Sequence, residues 1–306
     1  MAMAAARRLS CAAPRCGVPA GRVSRLASLM LLAIVLGGCI STRFVFNQLD
    51  WVITWRLNSY FSLEEEQEQM LRETVSSSLE WLRTEQLPVY AQLLRGIATD
   101  AESRQLSAER LGAIFLQVIE LYDDFLRQIM PDVVSFLSSL GDEQVEYLIE
   151  KLAEENEDLA EEYSGTTAEE RLVSREKASI KSFQRFTGRL NADQRMIITN
   201  SVAGMYDNSE QWLVGRRAWQ QDFRSLLLER PPSAEFQARL LAISLNPNYM
   251  DSSDYRKQVE ANQLIVLNLM TDIVASLNDK QMDRFTRRIT SFASDFDALA
   301  AQEAKP

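Results

Sequence analysis

The 306-residue sequence contains no histidine, and its three cysteines all lie within the first 39 residues. Without histidine, the chain cannot form a Ser-His-Asp triad, an imidazole general base or a histidine metal site. Gly-x-Ser-x-Gly, Walker and dinucleotide-binding glycine patterns are also missing. The sequence therefore predicts a protein that is not an enzyme and that holds no cofactor and no metal.

Glycine and proline are scarce beyond residue 39, where seven glycines and six prolines remain. Apolar residues recur there every three or four positions within stretches rich in Glu, Gln, Leu, Arg and Ala, which predicts an all-α, bundle-like domain of about eight to nine helices. The predicted helices span 45–58, 63–96, 107–138, 141–163, 167–188, 191–229, 233–245, 252–276 and 278–299. Pro88 and Pro131 should kink or split two of them, and Pro231-Pro232 marks a candidate subdomain boundary near 231–232 within the domain 39–306.

The first 38 residues contain five arginines and no acidic residue, and they lead into an apolar run at 26–36. This run is shorter than the roughly 20 residues of a permanent membrane-spanning helix, so it is typical of a cleaved signal peptide. It ends in Leu36-Gly37-Gly38-Cys39, which resembles the lipobox of bacterial lipoproteins. The resemblance implies cleavage between Gly38 and Cys39 and lipid on the Cys39 thiol. The alternative, an uncleaved helix that ends at a cysteine, leaves both glycines unexplained.

Lipid on Cys39 makes the membrane the first expected partner, because two or three acyl chains hold a protein essentially permanently. In lipoproteins of Gram-negative bacteria, an acidic residue directly after the lipidated cysteine favours retention in the inner membrane. Here Ile40 and Ser41 follow the cysteine. We therefore expect a lipoprotein of the outer membrane that faces the periplasm.

The mature chain is strongly acidic. Removing the five arginines of the signal peptide from 33 basic residues leaves 28 against 43 acids, a net charge of −15. Nucleic acid is excluded as a partner, because phosphate backbones require a basic surface. Cys11 and Cys16 leave with the signal peptide, so no disulfide is expected. The acidic run 154–162 lacks the ligand spacing of a calcium loop and predicts a solvated helical face.

Five predicted helix starts place an apolar residue directly before a capping position. Where Ser or Asn occupies that position, it can accept a hydrogen bond from a free amide, and Glu or Gln three residues later can reciprocate. The starts are Phe61-Ser62, Leu106-Ser107, Leu140-Gly141, Leu190-Asn191 and Leu277-Asn278. Three of them resemble the Leu-Thr-x-x-Gln motifs of periplasmic stress chaperones, although threonine is missing: Leu140 with Gln144, Leu190 with Gln194, and Leu277 with Gln281. The resemblance implies binding of unfolded clients, whereas helix capping alone explains the same pattern.

The first part of the mature chain resembles a family of uncharacterised proteobacterial lipoproteins of about this length. The matching segments are Cys39-Ile40-Ser41-Thr42-Arg43, Phe46-Asn47-Gln48-Leu49-Asp50-Trp51, 57–63 and 82–90. The resemblance implies lipidation and an all-helical fold, but no activity.

Two aromatic segments are candidate contact surfaces. Residues 44–61 carry apolar side chains around nearly the whole helix, which predicts burial in the domain core or, alternatively, in the lipid interface beside the anchor. On the predicted helix 191–229, one stripe forms a candidate partner-binding site: Trp212, Arg216, Trp219 and Phe223. The alternative is a core stripe whose arginine stacks on tryptophan and pairs with a buried acid.

These observations favour a non-enzymatic protein that binds an envelope protein partner or an unfolded client. The alternative function is a cell-wall glycosidase, because lytic transglycosylases are helical, periplasmic and often lipidated, and they use a glutamate. Glu102-Ser103 is the only Glu-Ser pair, and the Gly-Leu-Met-Gln sequence usual downstream in such enzymes is missing.

Overall fold

The computed structural model describes residues 42–246 and 253–302, and every regular element in these two ranges is helical. The predicted all-α, bundle-like fold is therefore confirmed. The expected signal peptide, its cleavage site at Gly38 and the lipidated Cys39 lie outside the described residues.

Twelve α-helices and one π-helical segment make up the described chain. They are α1 (Thr42–Phe46), α2 (Leu49–Phe61), α3 (Glu65–Trp81), the π segment (Leu82–Gln86), α4 (Leu87–Glu102), α5 (Ala108–Ser138), α6 (Asp142–Ser164), α7 (Ala168–Thr187), α8 (Ala192–Ala203), α9 (Ser209–Glu229), α10 (Ser233–Leu245), α11 (Ser253–Ala275) and α12 (Asp279–Ala300). Because α3, the π segment and α4 are continuous, the described ranges contain eleven separate helices.

The prediction of eight to nine helices was slightly low for two reasons. The short helix α1 was not predicted, and the predicted helix 191–229 is split into α8 and α9. The Gly204 amide donates to Asn200 O at 3.2 Å, at the end of α8. Asp207 then accepts hydrogen bonds from the amide and hydroxyl of Ser209, at 3.3 and 2.6 Å. Short polar side chains that bond to nearby backbone compete with a continuous helix in this way.

The two prolines inside predicted helices do not split them. Before Pro88 the helix widens into the π segment, where the Leu87 amide donates to Leu82 O, five residues back. This wider turn accommodates a residue that has no amide hydrogen and whose ring crowds the preceding turn. Pro131 lies inside α5 without ending it.

The buried side chains form two large clusters and one small one. The first cluster joins α2, α3, the C-terminal part of α5, α6, α9 and α10. The second joins the ends of α4 and α5 nearest residue 105 with α7, α8, α11 and α12. The third lies where α4 packs closely against α12, at Ala91 and Ala293, both fully buried. Pro231-Pro232 separates α9 from α10, two helices of the first cluster, so the chain does not pass between clusters there.

The chain passes between the two large clusters near residues 165–167 and 204–208, and these crossovers are tied together. Arg171 donates to Asp207 at 2.7 Å and to the Thr166 carbonyl at 2.6 Å. Burial alone would raise the pKa of Asp207, but hydrogen bonds from Ser209 and Arg171 outweigh it and lower that pKa. The segment that contains α7 and α8 is therefore held together at its two ends by the contacts of Arg171.

Within residues 42–246 and 253–302, none of the helices combines the length and apolar character that a membrane crossing requires.

Candidate functional site

An exposed aromatic ridge follows the first two helices. On α2, Trp51 and Trp55 lie one turn apart and are 65% and 61% exposed, with ring centroids 6.3 Å apart and nearly parallel planes. Val52 beside them and Phe44 on α1 are also exposed. We call Phe44, Trp51, Val52 and Trp55 the aromatic ridge. Exposed groups of large apolar side chains mark contact surfaces, because burying them stabilises a complex.

The opposite side of α2 belongs to the protein interior. Ile53, Leu57 and Tyr60 pack against the first core cluster, which includes Phe61. The Phe61 ring contacts Phe136 of α5 edge-on, with centroids 5.3 Å apart. Core burial, one of the two explanations for the all-round apolar pattern, therefore holds for only one side of α2.

The small helix α1 is fixed to the last helix. Phe46 packs against the third core cluster, between α4 and α12. Arg43 forms an ion pair with Asp295 of α12 at 3.0 Å. The two helices that carry the aromatic ridge are thus both packed against the protein interior, α1 on the third core cluster and α2 on the first.

A polar network fastens the C-terminal end of α2. Glu155 of α6 accepts hydrogen bonds from Tyr60 and from Arg56, the latter at 2.9 Å, and a third from Arg216 of α9 at 2.9 Å. Arg216 also donates to Asn156 at 2.7 Å. Glu155 and Asn156 face neighbouring helices, although most of the acidic run 154–162 is exposed as predicted.

The network changes the acidity of one group in it. Burial and the hydrogen bond to Glu155 together raise the pKa of Tyr60 to about 12, because a phenolate would be poorly solvated and would face a carboxylate. Tyr60 is therefore a neutral hydrogen-bond donor at physiological pH.

The stripe predicted on α9 lies against its own chain. Trp212 and Phe223 are only 7% and 8% exposed, and Trp219 stacks on Phe223 with centroids 4.9 Å apart. The indole of Trp219 donates to the Ile243 carbonyl of α10 at 3.2 Å. Arg216 lies over the Trp212 ring and pairs with Glu155, whose side chain is 33% exposed. Trp212, Arg216 and Phe223 are therefore not exposed together, as a docking face would require.

Among the described residues, two pairs of glutamines connect helix starts that are far apart in the chain, and all four except Gln144 are buried. Gln194 and Gln281, the third residues of α8 and α12, donate to each other's side-chain oxygens at 3.0 and 2.9 Å. Gln194 also donates to the Ser276 carbonyl and Gln281 to the Arg189 carbonyl, at 3.1 and 2.9 Å. Each therefore bonds to the loop that precedes the other's helix.

The same arrangement joins α3 and α6. Gln67 and Gln144 donate to each other at 3.0 and 2.7 Å, and to the carbonyls of Ser139 and Ser62 at 2.8 and 3.1 Å. Each accepting carbonyl belongs to the residue just before a Leu-x-x-x-Gln sequence, as in the other pair. The first large cluster thus contains one glutamine pair and the second contains the other.

One of these four sequences was not predicted. The predicted cap of α3 was Ser62, whereas the helix begins at Glu65, and the Gln67 side chain accepts from the Glu64 amide at 3.0 Å. The spacing Leu63-Glu64-Glu65-Glu66-Gln67 was the signal that could have found it. The caps predicted at Ser107, Asn191 and Asn278 are confirmed. Gly141 has no side chain, so only the bond from its amide to Gln144 forms there.

Further exposed apolar side chains lie on α5 and α11, two helices that are in contact. A methyl group at Gly112 would lie 3.8 Å from Cδ1 of Leu267, which places the two helices in close contact. One turn from these positions, four apolar side chains are exposed, and we call them the α5–α11 patch. They are Phe115 (38% exposed), Leu116 (59%), Leu264 (61%) and Met270 (41%).

The residue proposed for glycosidase chemistry lies at the surface, at the end of a helix. Glu102, the last residue of α4, is exposed. A groove of about 390 Å³ between α4 and α5 is lined by residues such as Gln92, Arg110 and Asp124, but not by Glu102. Across the part of the chain that the structure describes, no three acidic side chains gather to hold a metal ion.

Across residues 42–246 and 253–302, the protein is all-helical, each of its two large core clusters adjoins a glutamine pair, and apolar side chains are exposed on α1, α2, α5 and α11. The profile of DUF6279, a family of unknown function, matches residues 59–256. This match covers more than half of the 306 residues, and the chain belongs to that family. The resemblance to an uncharacterised family is therefore confirmed. No curated protein and no solved structure matches the chain, and the resemblance to stress chaperones is unsupported.

Proposed function

We propose that this protein is a lipoprotein of the outer membrane that faces the periplasm and binds another envelope component, either a protein partner or an unfolded client. The observation that carries the proposal is the placement of its exposed apolar surfaces. The aromatic ridge begins five residues after Cys39 of the lipobox, and the α5–α11 patch lies on other helices. One surface is thus available at the anchor and a second for a partner.

The interior supports a binding role for the scaffold. Each large cluster contains a glutamine pair whose amides bond to backbone carbonyls of the opposing hairpin. Fully satisfied buried polar networks rigidify a core and fix the positions of its helices. A rigid surface loses less conformational entropy when it binds, so exposed apolar residues on it contribute more to affinity.

The experiment is site-specific photo-crosslinking in cells. A photoreactive amino acid replaces Leu264 or Leu116 in the α5–α11 patch, and it replaces Glu157 on the acidic face as the matched control. We expect discrete crosslinked products from the patch positions and none from Glu157, because the patch residues are apolar whereas Glu157 lies on an acidic face. Mass spectrometry then identifies each product.

A Cys39→Ala version tests the anchor in the same experiment. The patch products should disappear from this version if the partner is met at the membrane. One discrete protein would establish a partner-binding role, whereas many unfolded envelope proteins would establish client binding. Equal labelling from Glu157 and from the patch would contradict both versions.

A further inference from the structure

We infer that the aromatic ridge is a second membrane contact, seated in the headgroup region of the bilayer that holds the lipid on Cys39. The inference rests on the proposed function, because it takes lipidation of Cys39 as given. It adds that the folded domain itself touches the bilayer, which a lipid tether alone does not require.

The length of the connecting chain places the ridge at the membrane. Two residues separate Cys39 from Thr42, where α1 begins, and Phe44 follows two positions after Thr42. A fully extended chain spans at most about 3.6 Å per residue, so Phe44 lies within about 18 Å of the lipidated residue. Trp51, the next residue of the ridge, follows Phe44 seven positions later in the sequence.

The composition of the ridge matches the membrane interface rather than a protein core. Two of the chain's five tryptophans are exposed on α2, at Trp51 and Trp55, while Trp212 is buried. Tryptophan is enriched at headgroup level, because its amphipathic ring suits a region that is partly apolar and partly wet. An interfacial helix also buries only one face in the lipid, which agrees with the packing of the other face of α2 on the first core cluster.

Two arginines on these helices suit the same location. The side chains of Arg43 and Arg56 are 47% and 58% exposed, although each pairs with an acid, Asp295 and Glu155. A guanidinium carries five N–H donors, so it can bond to its carboxylate and also to a lipid phosphate.

The test is quenching of tryptophan fluorescence by brominated lipids. The processed full-length protein is reconstituted into phosphatidylethanolamine and phosphatidylglycerol vesicles whose acyl chains carry bromine near the headgroup or near the bilayer centre. We expect stronger quenching by the shallow bromines. The variant Trp51→Phe/Trp55→Phe should lose most of the quenching, because it lacks both tryptophans of the ridge.

Trp81→Phe is the matched control, because it removes a half-buried tryptophan of α3 and should leave the quenched signal in place. Circular dichroism of all variants verifies folding, and the mass of the N-terminal peptide verifies lipidation in the same samples. Protein that floats with the vesicles but shows no quenching of Trp51 and Trp55 overturns the inference and leaves the anchor intact. Protein that is unlipidated and does not float counts against the proposed function instead. Quenching removed by Trp81→Phe, or a ridge covered by a second copy in chemical crosslinking, also overturns the inference.

Discussion

At the scale of single residues, the polar network around Glu155 explains how a half-exposed helix is held in place. Tyr60 and Arg56 of α2 and Arg216 of α9 all bond to this one carboxylate of α6. Without these bonds, the end of α2 would rest only on the apolar contacts of its inner face. The network therefore connects the position of the aromatic ridge to the first core cluster.

The raised pKa of Tyr60 predicts a specific pH dependence. In the folded protein this pKa is about 12, against an ordinary value of 10.0. A raised folded-state pKa contributes stability that is complete below the unfolded pKa and is lost as pH rises through the folded one. The wild type should therefore lose its advantage over Tyr60→Phe between pH 10 and pH 12. Urea unfolding at several pH values measures the difference.

Tyr206→Phe is the control, because Tyr206 is 51% exposed. Measured in the same way, this variant accounts for any change that comes from removing a tyrosine hydroxyl at the surface. A Tyr60→Phe difference that stays constant through the range would contradict the role assigned to the phenol.

At the scale of helices, the glutamine pairs connect the starts of helices that are far apart in the chain. Truncating the fully buried Gln194 to alanine would remove four hydrogen bonds: two with the Gln281 amide, one to the Ser276 carbonyl and one from the Asn191 amide. A hydrogen bond contributes about 0.5–1.5 kcal/mol net, so we expect Gln194→Ala to lower the free energy of unfolding by about 2 kcal/mol or more. Denaturant unfolding of both proteins provides the measurement.

Gln221→Ala, an exposed glutamine on α9, is the matched control and should change stability by less than about 0.5 kcal/mol. A double-mutant cycle over Gln194 and Gln281 should give a coupling energy of about 0.5–3 kcal/mol. Additive effects of the two substitutions would show that the pair does not act as a unit.

Helix positions were largely predictable from the sequence, because they depend on local signals. The caps at Asn191 and Asn278 and the breaks at Pro231-Pro232 follow from neighbouring residues alone. The glutamine pairs were not predictable, because each joins residues far apart in the chain. Gln144 was identified as half of a capping device, but its bond to the Ser62 carbonyl spans 82 positions.

At the scale of the whole molecule, the two large cores are interleaved along the chain. The chain leaves the first core after α6, passes through α7 and α8 in the second, and returns with α9. Local helix-breaking residues cannot reveal such an arrangement. Pro231-Pro232 is a stronger helix-breaking sequence than either crossover between the cores, but the two helices that it separates belong to the same core. The exposure of Trp51 and Trp55 could not be predicted either, because apolar residues all round a helix do not show which side of it packs against a core.

The central claim at this scale is that the domain is held at a membrane through Cys39. The most direct measurement is the mass of the N-terminal peptide of the protein extracted from separated inner and outer membranes. The account predicts a peptide that begins at Cys39 and carries diacylglycerol, recovered from the outer membrane. A peptide that retains residues before Cys39, or an unmodified Cys39 in protein released without detergent, would contradict it.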